Sequence, residues 1–254
     1  MAEPTVSAPA PPLQGEFRVG RVFSNSLSIL FRNIAQFMLL SAIASLPFLL
    51  VYGDLYARPF ARAAARSWNG TQLIAFVLGT VLTALCQAVV LYGAFQVMRR
   101  RRFQIGESLT RGLKRFLPVI GTTFCLIFAM TVGFILLVVP GFIVLSMCYV
   151  ALPACVVERL GPFQSLSRSS QLTKGHRWKV FGIYIVLMIG IGIGSTILAA
   201  VLALAGSSIV LIVGMFFWNT LARAIESIVA VVAYHDLRVA KEGVDIEHIA
   251  SVFD

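Results

Sequence analysis

Long apolar runs constrain the fold of this sequence more than any other feature. Of its 254 residues, 58% are hydrophobic and only 13% are charged, whereas a soluble domain usually carries about a quarter charged residues. A run of about 18 or more apolar residues is long enough to cross a bilayer as a helix, and several such runs occur here. The sequence therefore predicts an all-α membrane protein whose surface mostly contacts lipid.

The apolar runs divide into six predicted transmembrane helices, which span residues 34–52, 73–98, 117–139, 142–157, 180–205 and 208–234. Only Pro140-Gly141 separates the third helix from the fourth. One helix across both would extend about 60 Å, twice the ~30 Å thickness of the hydrocarbon core. Because Pro followed by Gly is a strong turn signal, we expect a tight hairpin at this pair. Gly206-Ser207 predicts a similar short break between the fifth and sixth helices.

Basic residues are distributed unevenly among the segments that join these helices. Seventeen of the 21 Lys and Arg residues precede the first helix, follow the sixth, or lie between the second and third or the fourth and fifth. The opposite side holds only Arg58, Arg62 and Arg66. Lys and Arg are retained in the cytoplasm during insertion. We therefore expect a bacterial inner-membrane protein with both termini cytosolic, and a five-helix arrangement would break this segregation.

Amphipathic segments precede the first, third and fifth predicted helices. Apolar residues recur at helical spacing in 23–34 and 105–116, and more weakly after Pro162. Helices of this kind lie in the membrane interface. Each segment also carries a Ser-Leu pair, at Ser26-Leu27, Ser108-Leu109 and Ser165-Leu166. Two interpretations stay open: a unit of interfacial helix and hairpin used three times, or the helical lead-in that any span requires.

The predicted helices form a single transmembrane domain over residues 17–240. It lies between a Pro- and Ala-rich tail, residues 1–16, which we expect to be disordered, and a short cytosolic tail, residues 241–254. The N-terminal segment has no apolar core and is not a secretory signal.

Arg223 and Glu226 are the most unusual pair, because they lie three residues apart inside the sixth predicted helix and are close enough to interact. A charge at the centre of a bilayer helix costs about 2.5–3.5 kcal/mol, and such residues usually mark a pathway or a partner contact. Counting from Ser208, however, Arg223 lies only about 8 Å from the cytosolic boundary, within snorkelling reach. A functional site and a structural pair therefore both stay open.

The cytosolic connectors add further candidates to this polar network. Glu158 precedes a predicted helix that begins at Gly161-Pro162 and ends at Lys174-Gly175, and Arg168 lies within that helix. Asp236 and Arg238 follow the sixth predicted helix. We expect Glu158 or Asp236 to pair with Arg168 or Arg223. The connector between the second and third helices supplies candidate contacts for anionic lipid headgroups, namely Arg99, Arg100, Arg101, Arg102, Lys114 and Arg115.

Enzymatic chemistry has no positive support in the sequence. It contains no GxSxG nucleophile motif, no Walker-type loop, no HExxH motif and no dinucleotide fingerprint. All four cysteines fall in apolar runs, where packing is the expected role. We therefore predict no catalytic residues, no cofactor and no metal. The basic segments adjoin predicted span ends, so headgroup contact is favoured over nucleic-acid binding.

Two stretches carry a resemblance to a known family: VERLGPFQSLSRSSQLTKGHRW, residues 157–178, and YHDLRVAKEGVDIEHI, residues 234–249. With Pro140-Gly141, they resemble bacterial membrane proteins of the glycerophosphoryl diester phosphodiesterase membrane-domain type. The matching positions are Glu158, Gly161, Arg168, Ser169, Leu172, Thr173, Gly175, Trp178, Tyr234, Asp236, Leu237, Arg238 and Gly243. The resemblance implies a membrane module without the catalytic domain, because no soluble segment is long enough to form one.

The favoured function from sequence is a non-enzymatic inner-membrane protein with a structural, accessory or lipid-associated role. The alternative is a small-solute or ion transporter that uses a polar site near Arg223 and Glu226. The two differ in one structural respect. A transporter needs a hydrated cavity that reaches these residues, whereas a structural protein packs the region shut. A protein partner or a homo-oligomer is compatible with both.

Overall fold

The computed structural model describes residues 17–43, 70–98 and 115–242, together with positions 45, 106 and 110. Every regular element in these ranges is an α-helix. In chain order the helices are α1 (Val19–Arg32), α2 (Ile34–Ile43), α3 (Gly70–Met98), α4 (Phe116–Leu136), α5 (Val138–Cys148), α6 (Ala151–Val157), α7 (Pro162–Thr173), α8 (Arg177–Ala203) and α9 (Ser208–Glu242). The predicted tail 1–16, most of 105–116 and nearly all of the predicted tail 241–254 lie outside the described residues.

The predicted all-helical class is confirmed for the described part of the chain. Four segments there are long and apolar enough to cross a membrane: Phe116–Leu136, Val139–Val157, Arg177–Ala203 and Ser208–Glu242. A fifth is added if α1 and α2 count as one span, although an 85° bend separates them. Large apolar side chains lie exposed on these helices, as hydrocarbon contact requires, including Leu117, Phe128, Ile135, Ile193 and Leu204.

The hairpin between α4 and α5 forms three residues earlier than the sequence predicts. Its break is Leu137, which is extended with φ −174° and ψ 156°, while Pro140 and Gly141 belong to the first turn of α5. Proline is tolerated there because the first-turn N–H groups have no helical acceptor. Gly141 is required by packing instead, since a Cβ at this position would lie 2.5 Å from the Phe134 ring of the facing helix.

The predicted fourth span is divided into α5 and α6 by a turn at Tyr149 and Val150. Pro153 explains this division, because a proline ring clashes with the carbonyl four residues earlier, here that of Tyr149, and supplies no N–H for it. The helix restarts when the Ala154 N–H donates to the Val150 carbonyl at 3.0 Å. A single proline therefore places Tyr149 at an interruption inside the bundle.

The last hairpin lies where the sequence predicts it. Gly206 has φ +65°, a left-handed conformation that glycine adopts without the Cβ penalty, and it follows the end of α8. The helix that follows, α9, is longer than the predicted span 208–234, because it continues for eight more residues to Glu242. At 1.5 Å per residue its 35 residues extend about 52 Å, so it projects beyond a hydrocarbon core of about 30 Å.

Two of the three amphipathic segments that precede predicted spans are described in the structure. Each is a helix whose buried face contains a serine. In α1, Ser26 is buried and its hydroxyl donates to the Val22 carbonyl at 2.6 Å. In α7, buried Ser165 donates in the same way to the Gly161 carbonyl at 2.7 Å. The outer surfaces stay exposed, and Phe163 of α7 is 80% accessible. The segment that contains Ser108 lies outside the described residues.

The core is built around the second half of α9. Its buried side chains pack against α1, α3 and α8 in one cluster, which includes Leu30, Val90, Ile183, Ile228 and Tyr234. Small residues let α8 approach α9 closely, because Gly194 lies directly against the Trp218 indole. By contrast, nothing lies within 4 Å of the space that a Cβ would occupy at Gly190.

This difference gives a matched pair of substitutions on one helix. Gly194→Ala places a methyl group against the Trp218 ring and should destabilise the protein by about 1–3 kcal/mol, the usual cost of overpacking. Gly190→Ala changes helix propensity equally but meets open space, so its effect should be small. Thermal unfolding in detergent micelles, followed by tryptophan fluorescence, measures both. Equal stabilities of the two variants would contradict this packing.

Candidate functional site

Polar side chains gather at one end of the helical bundle, where α4 begins, α6 ends and α8 begins. We refer to it as the basic end. Hydrogen bonds join the chain at this end in two places. The Arg115 side chain at the start of α4 donates to the Arg159 carbonyl just after α6 at 3.4 Å, and Lys179 at the start of α8 donates to the Phe17 carbonyl before α1 at 3.0 Å. Arg159 has φ +58°, a left-handed backbone that ends α6 sharply and turns the chain towards α7.

Glu158 joins α7 to α9 at the basic end. Its two carboxylate oxygens each accept a hydrogen bond from Nε of Arg168 at 2.9 Å, and Oε1 also accepts one from the Tyr234 hydroxyl at 2.5 Å. The Arg168 and Glu158 side chains are only 22% and 18% exposed, so water screens this pair less than it screens a surface ion pair. The structure thus contains one of the pairings that the sequence predicts.

A second carboxylate extends this arrangement to the end of α9. Nη2 of Arg168 lies 2.5 Å from Glu242 Oε1, and Nε of Arg238 donates to Glu242 Oε2 at 2.9 Å. Partial burial lowers the pKa of the Arg168 guanidinium, but hydrogen bonds to Glu158 and Glu242 outweigh it and raise that pKa above its ordinary value. We call these five residues, Glu158, Arg168, Tyr234, Arg238 and Glu242, the Glu158 network.

Three other predicted members of the polar network lie elsewhere. Asp236 Oδ1 is 3.3 Å from Nδ1 of His235, and its contact is therefore within α9 and not with Arg168. Arg223 and Glu226 lie two to three turns earlier on α9, away from the Glu158 network. The sequence prediction groups six residues together. The structure brings Glu158, Arg168 and Arg238 into one network, whereas Arg223 and Glu226 interact with each other elsewhere on α9.

Glu226 lies on the wall of a cavity between the helices, with a volume of about 180 Å³. Residues from α3, the α5–α6 break, α6, α8 and α9 line it: Gln87, Leu91, Tyr149, Leu152, Pro153, Tyr184, Leu187, Met188, Glu226, Ser227 and Ala230. We call it the Glu226 cavity. Its α3 and α8 residues lie 7 to 11 positions from the helix ends, about 10–17 Å inside the basic end at 1.5 Å per residue.

Two hydroxyl groups on the cavity wall lack partners. The Tyr149 and Ser227 hydroxyls are buried, and neither has a hydrogen-bond partner among the described residues. Leaving such a group unpaired costs about 1–3 kcal/mol, and native structures rarely do so unless water or a ligand supplies the bond. The rings of Tyr149 and Tyr184 meet edge to face, 6.4 Å apart. The cavity can therefore surround a small solute with hydroxyls, aromatic faces and one carboxyl group.

Of the predicted lipid-contact residues, only Arg115 lies in the described part of the chain. It is half-buried at the start of α4, where it contacts the Arg159 carbonyl. Lys114 and the run Arg99–Arg102 lie outside the described residues.

Several important residues were not singled out from the sequence. Glu242 could have been found, because it lies four positions after Arg238 and such pairs meet on a helix surface. The sequence gives no reason to single out Tyr149 and Tyr184 as site residues, since aromatic residues are common in apolar runs. Their proximity to Glu226 depends on the packing of three separate segments.

Comparison with known proteins gives one match. A family described as Domain of unknown function (DUF7847) matches residues 103–237, more than half of the chain. The matched range contains α4 to α8, most of α9, and Glu158, Arg168, Tyr234 and Glu226. No curated protein and no solved structure matches the chain.

A double-mutant cycle can test whether Glu158 and Tyr234 stabilise the protein through their hydrogen bond. Tyr234→Phe removes a hydrogen bond to a carboxylate and should lower the free energy of unfolding by about 1.5–3 kcal/mol. Because Glu158 accepts that bond, Glu158→Gln and Tyr234→Phe together should cost about 1 kcal/mol less than the sum of the single changes.

Chemical denaturation in micelles measures this double-mutant cycle. Lys174→Gln combined with Tyr234→Phe is the control, because Lys174 is exposed and outside the network, and its effects should add. If the effects of Glu158→Gln and Tyr234→Phe on the free energy of unfolding are strictly additive, the two residues do not stabilise the protein as a unit.

Proposed function

The chain belongs to this family of unknown function, and from its geometry we propose a multi-pass membrane protein that binds a small solute within the bilayer, in the Glu226 cavity. One observation carries the proposal: the buried, unpaired Tyr149 hydroxyl lies on the same cavity as the Glu226 carboxyl group. The proposal develops the alternative that the sequence left open, a small-solute or ion transporter that uses a polar site near Arg223 and Glu226. A cavity at Glu226 is the feature that distinguishes such a protein from one packed shut.

We propose six transmembrane helices in all. The segments α4, α5 with α6, α8 and α9 would supply four of them, and residues 34–52 and 73–98 would supply the others. The basic end would face the cytosol of a bacterial cell, because Lys and Arg are retained on that side during insertion. On this arrangement α1 and α7 lie at the cytosolic interface, and the cavity opens in the cytosolic half of the bilayer.

A structural, lipid-associated role is the second candidate. The Glu158 network favours it, because five polar side chains hold α7 against the projecting end of α9. The basic connector would then bind anionic headgroups, each Lys or Arg contributing about 1 kcal/mol. Neither candidate requires catalysis, a cofactor or a nucleic acid. The resemblance to the glycerophosphoryl diester phosphodiesterase membrane domain stays a prediction of the sequence.

Chemical labelling tests whether a small molecule reaches the cavity. Methyl methanethiosulfonate reacts with thiolates, which form only where water is present. Ser227→Cys, in purified protein in lipid nanodiscs, should therefore be modified, with mass spectrometry locating the adduct at residue 227. Ser146→Cys is the matched control, because Ser227 and Ser146 are both 3% exposed and Ser146 does not line the cavity.

A cavity-filling change completes the test. Ala230 lines the same cavity, so Ala230→Leu should slow modification of the cysteine at 227 without affecting the one at 146. If both cysteines react at the same rate, or neither reacts, the proposed binding function is wrong and the structural role is favoured.

A further inference from the structure

We propose that the Glu226 cavity binds a small protonated amine, an ammonium ion that carries alkyl groups. This inference rests on the proposed function and goes further by assigning the ligand's charge and shape. Four properties of the cavity carry it: the charge of its lining, its aromatic rings, its unpaired hydroxyls and its volume.

The lining has a single sign of charge. Glu226 is the one carboxylate among the eleven described lining residues, and none of the others is Lys, Arg or His. Arg223 lies one helical turn before Glu226 and interacts with it electrostatically, but it does not line the cavity, so a bound solute would contact only the carboxyl group. Because electrostatic attraction strengthens as the local dielectric falls, a carboxylate on the wall of a mostly apolar cavity selects a cation over an anion or a neutral solute.

The aromatic residues favour an organic cation over a metal ion. Tyr149 and Tyr184 both line the cavity and meet edge to face, so a cation beside Glu226 can contact ring faces. Such contacts contribute about 0.5–2 kcal/mol and are the usual means of recognising alkylammonium groups. Leu91, Leu152 and Met188 provide apolar surface for the alkyl groups of such a cation.

The unpaired hydroxyls fit an ammonium ion with N–H groups. A protonated amine is a donor, and the carboxylate of Glu226 and the oxygens of Tyr149 and Ser227 can all accept hydrogen bonds. Both hydroxyls lack a partner among the described residues, so a bound amine would remove an existing cost. The orientation of the ligand follows: nitrogen towards Glu226, and alkyl groups towards the leucine side chains.

The cavity volume suits a ligand of a few heavy atoms. At about 180 Å³ it is well above the ~10–15 Å³ that one water molecule needs on the same measure. An amine of about five heavy atoms is therefore a ligand of suitable size. tert-Butylammonium is a suitable probe, and tert-butanol is its neutral isostere, with a hydroxyl in place of the ammonium group.

The experiment measures protection of a cysteine at residue 230, because Ala230 lines the cavity and has no polar side-chain atom that could bind the ligand. The Ala230→Cys protein in nanodiscs is modified by methyl methanethiosulfonate in the presence of tert-butylammonium chloride, tert-butanol, or sodium chloride at equal ionic strength. We expect tert-butylammonium to slow modification in a saturable manner, and the other two to leave the rate unchanged. Equal protection by tert-butanol, or protection by sodium chloride, would overturn the assignment of an organic cation.

Variants of Glu226 identify the source of the selectivity. In the Ala230→Cys background, Glu226→Gln should weaken tert-butylammonium binding about tenfold, equivalent to about 1.4 kcal/mol, while Glu226→Asp retains the charge and most of the binding. Circular dichroism and unprotected modification at residue 230 establish that each variant is folded and that its cavity is open. Unchanged affinity in a folded Glu226→Gln protein would contradict the proposal.

A second measurement covers the case in which Glu226→Gln does not fold. The ratio of modification rates at residue 230 by aminoethyl methanethiosulfonate, which carries an ammonium group, and by the neutral methyl reagent reports the local charge. With Glu226 present, the charged reagent should react faster, and a ratio no higher than at an exposed cysteine would count against the proposal. Modification without cation protection rejects only the ligand class, whereas no modification rejects the binding function itself.

Discussion

Hydrocarbon offers no hydrogen-bonding partner, and this constraint organises the rest of the structure. Apart from the turn between α5 and α6, each described candidate span satisfies its backbone within a helix. The exposed apolar side chains of α4, α8 and the first half of α9 suit lipid surroundings. Among the described residues, most charged side chains lie at the basic end of the bundle. Polar groups that remain inside must find partners in the protein or in whatever occupies the space between its helices.

The helix α9 connects the two polar sites of the molecule. Glu226 and Ser227 lie on its cavity-facing side, and Tyr234, Arg238 and Glu242 hold its end to Glu158 and Arg168. The Glu158 network therefore fixes the position of the helix that carries the cavity carboxyl group. Pro153 contributes from the opposite wall, because the helix break that it causes presents Tyr149 to the same space.

Features set by local chemistry could be predicted from the sequence. The all-helical class follows from the apolar runs, and the break at Gly206 follows from glycine's access to positive φ. The pairing of Glu158 with Arg168 was one of several that the connector allowed. The hairpin at Leu137 was misplaced, because Pro140 is as compatible with a first helical turn as with the turn before it.

The cavity could not be predicted, for a physical reason. The cavity exists because side chains from α3, α6, α8 and α9 do not fill the space between them. Incomplete packing of this kind has no sequence pattern from which it could be predicted. Glu226 could be singled out as a costly charge, but its neighbours Tyr149 and Tyr184 are separated from it by many residues. Arg238 and Glu242 show the opposite case, since a spacing of four on one helix brings them together.

The central claim is that hydrocarbon surrounds these helices, so that the two ends of α8 lie on opposite sides of a membrane. Single cysteines at Lys174 and Ser207 test it, because these positions precede and follow that helix and lie outside it. In intact cells, a membrane-impermeant maleimide should label the cysteine at 207 and should reach the one at 174 only after permeabilisation. Equal labelling of both positions in intact cells would contradict the account.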